Sequence, residues 1–106
     1  MGAQATRVDG IRFASRLEAD RYCELKLLQA AGDVVYFLRQ VPFDLAPGVT
    51  YRADFLVVWS HGSREPVIED TKGYLTATAR VKLRVVESRY PVKIKILTRK
   101  EVSRCL

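Results

Sequence analysis

An α/β fold, a mixed β-sheet flanked by helices, is predicted by three observations. Three apolar runs rich in Val, Ile, Phe and Tyr fill the middle of the chain, at residues 34–40, 49–59 and 67–72. Helical patterns at 15–31 and 76–89 bracket them, and an alternating run at 92–97 follows. The order αβββαβ joins strands first by hairpins and then by a helical crossover, which gives a sheet of mixed direction.

Each element has its own signal. Residues 1–10 read as a loose N-terminal segment, with Ile11, Arg12 and Phe13 as a short extended piece. Ser15 and Glu18 fit a capping box that opens the first helix, and Gly32 stops it. The apolar stripe of that helix is blurred by Asp20 and Glu24, so its buried face stays open. Pro42 is expected to break the first strand, leaving Phe43, Asp44 and Leu45 as a separate short one. Ala46, Pro47 and Gly48 form a turn, and residues 60–64 a polar hairpin loop. Pro91 ends the second helix.

At 106 residues, with 48% hydrophobic and 28% charged residues, the chain reads as one globular domain over 1–106. No apolar run approaches the roughly 20 residues of a membrane span, and the N-terminus lacks a signal-peptide core. Cys23 and Cys105 read as free thiols in a reducing compartment, which implies a cytoplasmic location. The net charge of +6, concentrated between Arg80 and Arg104, favours a polyanionic partner, and nucleic acid ahead of membrane.

The run from Pro66 to Gly73 carries the candidate chemistry. Ile68, Asp70 and Lys72 share one strand face, and Val67, Glu69 and Thr71 share the other. Asp54 interrupts the apolar strand before it. Carboxylates in such strands are costly to bury unless paired or bound to metal. Asp54, Asp70, the backbone carbonyl of Thr71 and waters suit Mg²⁺, for which Mn²⁺ would substitute. Lys72 would orient or deprotonate a water, or stabilise developing charge. The competing reading is a buried ion pair of Asp54 or Asp70 with Lys72 or Arg52. Alternation favours Asp70 over Glu69 as the ligand, with Glu69 turned towards Tyr74 or a lysine of the last strand. Glu18 is either the capping partner of Ser15 or a third acidic group for the metal, and both can hold.

Gln40 could touch a phosphate or the attacking water, although a residue at a strand end more often satisfies backbone groups. Arg52, Arg80, Lys82, Arg84 and Arg89 could line a nucleic-acid path, recognising backbone and shape rather than base sequence. Taken singly, each is an ordinary solvated cation. His61, in a polar loop, reads as a surface residue.

Glu18 early in the first helix, Asp54 in the second strand and Asp70-Thr71-Lys72 in the third resemble the PD-(D/E)XK nuclease superfamily, with its restriction-endonuclease-like αβββαβ core. The segments 13–19, 40–45, 51–55 and 67–73, with Tyr90 and Pro91, are similar to a small phage and prophage family of uncharacterised nuclease-like domains. Ala53 stands where the motif name has proline, at a position without chemistry. The resemblance implies Mg²⁺- or Mn²⁺-dependent hydrolysis of DNA phosphodiesters, with Glu18, Asp54 and Asp70 holding metal and Lys72 catalytic. The small size resembles the archaeal-type and phage Holliday junction resolvases, which implies a homodimer acting on branched DNA in a bacterial host. A flap or non-specific nuclease, a DNA-binding module without catalysis and a basic structural protein are the alternatives.

Overall fold

A computed structural model describes residues 6–105. Two short antiparallel strands, β1 (Thr6–Val8) and β2 (Ile11–Phe13), form a ribbon ahead of helix α1 (Arg16–Ala30). Strands β3 (Val34–Ala46), β4 (Val49–Trp59) and β5 (Val67–Thr71) follow, then helix α2 (Ala77–Arg89) and strand β6 (Lys93–Leu97). The main sheet has the order β3-β4-β5-β6, with β3, β4 and β5 antiparallel and β6 parallel to β5. The α/β architecture and the αβββαβ order are those expected from the sequence.

The helices cover opposite faces of the sheet. Ala19, Tyr22 and Leu25 of α1 pack on Phe13, Val34, Phe55 and Val57. Leu83 and Val86 of α2 pack on Phe43, Leu45, Tyr51, Ala53 and Ile68. Ser15 caps α1 by accepting the Glu18 N–H, and Gly32, at φ 88°, follows the helix end in the left-handed region that favours glycine. The blurred stripe of α1 now has a cause. Its buried face carries Glu18, Asp20 and Arg21 beside Tyr22 and Leu25, and these polar groups find partners inside the protein.

Four expectations are corrected. The β1 strand takes up residues 6–8 of the segment read as loose, while residues 1–5 lie outside the described residues. Strand β3 runs unbroken through Pro42, because proline is tolerated where its missing N–H faces away from the neighbour, and β3 is an edge strand. Glu69 meets Arg21, not Tyr74 or a β6 lysine. Cys23 and Cys105 are joined as a disulfide, with their Cα atoms 5.9 Å apart. The C-terminal segment returns along α1, where Asp20 accepts from Arg99 and from the Cys105 N–H and Glu24 accepts from the Ser103 N–H. That docking brings together thiols 82 residues apart in the chain. Among the described residues no helix is long and apolar enough to cross a membrane.

Within the β3–β4 ribbon, the face presented to each helix changes part-way along. Phe37 packs in the α1 cluster and Arg39 lies over the Phe13 ring, yet Val41, Phe43 and Leu45, of the same parity, belong to the α2 cluster. On β4 the change falls between Phe55 and Ala53. Gln40 stands at this crossing with φ 53°, a left-handed conformation rare for a residue with a side chain. Its side chain meets Glu18 of α1, and Asp54 lies on the neighbouring strand.

Candidate active site

Asp54 and Asp70 interlock across the β4–β5 pair. The Asp54 N–H donates to Asp70 Oδ1 at 2.8 Å, while Asp54 Oδ2 accepts from the Thr71 N–H and hydroxyl, both at 2.8 Å. Asp70 is wholly buried, and its Oδ2 has no hydrogen-bond partner among the described residues. Burial raises the Asp70 pKa, against the pull of the Asp54 N–H and of the Lys72 ammonium. Lys72 follows β5, with its backbone N–H on the Leu97 carbonyl.

Glu18 enters from the first turn of α1. Its Oε2 accepts from the Gln40 side-chain amide at 3.0 Å and lies 3.8 Å from the Arg39 guanidinium. Burial first, and the neighbouring Asp54 and Asp70 carboxylates after it, push its pKa to about 7, opposed by Arg39 and Gln40. Asp54 and Asp70 are thus near enough for their charges to act on Glu18. Ser15 accepts the Glu18 N–H, but the Glu18 carboxylate meets Gln40 rather than the Ser15 N–H, so only half of the expected capping box forms.

Gln40 sits inside β3 rather than at a strand end, and its side chain serves Glu18. Arg52 donates to the Gln40 carbonyl at 3.2 Å, so it joins the same neighbourhood. Among the described residues neither Asp54 nor Asp70 forms a salt bridge, although the Lys72 charge still acts on Asp70. Arg80 and Arg84 project to solvent from α2, on the other face of the sheet, with Lys82 half-buried. Arg89 gives its guanidinium to the Leu45 carbonyl, which ties α2 to the ribbon.

Two contributors were missed. Arg39 approaches Glu18 while lying 4.5 Å from the Phe13 ring centroid, and no sequence motif marks it. Arg21 grips both oxygens of Glu69, at 2.7 and 2.6 Å, in a buried bidentate pair. Charged residues on the buried side of a helix with a blurred stripe were the signal available for Arg21.

As placed, no three Asp, Glu, His or Cys side chains among the described residues form a ready metal cage. The donor set still fits Mg²⁺, which takes one or two carboxylates and keeps several waters. The unpartnered buried oxygen of Asp70 is the atom such an ion would satisfy.

Residues 1–103 match the family described as protein of unknown function (DUF1064). The chain belongs to that family. The matched span includes Glu18, Asp54, Asp70 and Lys72. No curated protein matches the chain.

Proposed function

We propose that this protein is a metal-dependent DNA endonuclease of the PD-(D/E)XK type, selective for branched DNA and working as a homodimer in phage or prophage recombination. The observation that carries the reading is Asp70: a fully buried carboxylate with one oxygen unpartnered, locked to Asp54 and set against Glu18. A cation bound here would give that open oxygen the partner it lacks. Asp70 and Asp54 would hold a divalent cation, with Glu18 reaching it directly or through water. When bound, the ion would polarise a phosphoryl oxygen and lower the pKa of a water.

The chain's own residues supply the rest. Lys72 beside Asp70 orients the attacking water and stabilises negative charge on the phosphorane. A water oxygen bonds to phosphorus as the bond to one deoxyribose oxygen breaks, and that oxygen leaves with a proton. Arg52, exposed and tethered to the Gln40 carbonyl, would meet a flanking phosphate. The net charge of +6, with Arg80 and Arg84 exposed, supports sequence-independent attraction to DNA.

A second reading is favoured by one observation. Asp54 Oδ2 and Glu18 Oε2 already have protein donors, as they would in a DNA-binding module without catalysis. The test compares a labelled four-way junction with a linear duplex of the same sequence, in Mg²⁺, Mn²⁺ and EDTA. Paired metal-dependent nicks in the junction alone are expected. Equal cutting of both substrates removes the junction selectivity. A gel shift without cutting in any metal overturns the nuclease and supports the binding module.

A further inference from the structure

Gln40 holds φ 53° in the middle of a strand. A side-chain-bearing residue pays for that conformation, and such outliers cluster where function needs them. Turning the ribbon over explains the backbone but not the residue, since Gly or Asn would turn it at lower cost. What Gln adds is reach. Its amide crosses from β3 to α1 and donates to Glu18 Oε2 at 3.0 Å, while Arg52 fixes its carbonyl from the neighbouring strand. One Glu18 oxygen is thus held from β3, while Asp54 and Asp70 are near enough for their charges to act on the carboxylate.

We infer that Gln40 is a positioning residue: its left-handed backbone is kept so that its amide can set the rotation of the Glu18 carboxylate at the metal pocket. The inference rests on the metal-dependent reading above. It assigns Gln40 to the carboxylate, not to a phosphate or the attacking water.

The test uses the whole chain and Mn²⁺ as probe. Wild type, Gln40→Gly and Gln40→Asn are titrated with Mn²⁺ by calorimetry and melted in EDTA. Glycine relieves the backbone and removes the amide; asparagine tolerates the backbone but is one carbon too short. Both variants are expected to bind Mn²⁺ about tenfold or more weakly, the usual loss when a group that orients a ligand is removed. Their melting temperatures in EDTA should equal or exceed that of wild type. Wild-type Mn²⁺ affinity in both variants overturns the role of Gln40 and leaves the metal reading standing. A lower melting temperature in the glycine variant, with affinity lost in step, makes Gln40 purely structural and also overturns it. Wild type that takes up no Mn²⁺ overturns both.

Discussion

The Asp54 N–H donates to Asp70 Oδ1 over 2.8 Å, and Asp54 Oδ2 accepts from the residue that follows Asp70. Each carboxylate thus holds the other's strand. A buried Asp normally threatens a sheet, but here two share the backbone groups at the end of the β4–β5 ladder. Three hydrogen bonds engage one oxygen of each carboxylate and leave the buried Asp70 Oδ2 open among the described residues.

Replacing that open oxygen should separate stability from function. Asp70→Asn keeps an acceptor for the Asp54 N–H and removes a charge that burial disfavours. In EDTA at neutral pH its midpoint in urea should match or exceed that of wild type, while metal uptake is lost. A loss above about 3 kcal/mol would mean that the Asp70 charge is a structural necessity.

Glu18 makes stability fall as pH rises. Its folded pKa of about 7 lies above the ordinary carboxyl value of 4.5, so the folded state binds the proton more tightly. The contribution is fully present below pH 4.5 and is lost as pH climbs through 7, by about 3 kcal/mol at most. Denaturation in EDTA between pH 4.5 and 8 should show this decline on top of the other titrations, and Glu18→Gln should remove it. An unchanged slope in that variant would refute the assignment.

The Arg21–Glu69 pair joins α1 to β5 one residue from Asp70. Removing one partner leaves a buried charge alone, which costs about 3–5 kcal/mol. Arg21→Met should therefore destabilise strongly, and adding Glu69→Leu should recover most of the loss. Additive losses in the double variant would show that the two residues do not act as a pair.

The disulfide between Cys23 and Cys105 pins the C-terminal segment to α1. Alkylation without reductant should label neither thiol. Cys105→Ser should lower stability by about 2–4 kcal/mol, the usual effect of closing a long loop. Labelling of both thiols in freshly folded protein would contradict the bond.

The fold was legible because it is written in local pattern. Period-2 runs, the Ser15 cap and Gly32 mark elements, and alternation alone separates Asp70 and Lys72 from Glu69. What was not legible depends on distant residues. Pro42 passes through β3 only because β3 lies at the sheet edge, and edge position is a property of the assembled sheet. Cys23 and Cys105 meet because Asp20 and Glu24 bind a segment about 80 residues away. Gln40 reads as a strand end when Pro42 is taken to stop the run, and its positive φ leaves no mark in the sequence.

The most direct test of the central claim is cleavage of a labelled four-way junction in Mg²⁺ by wild type and by Asp70→Asn, with EDTA as the control. Metal-dependent nicking by wild type and a loss of at least about 1,000-fold in the variant are predicted, the scale on which essential electrostatic groups act. Equal cutting by the two proteins, or cutting that persists in EDTA, would contradict the account.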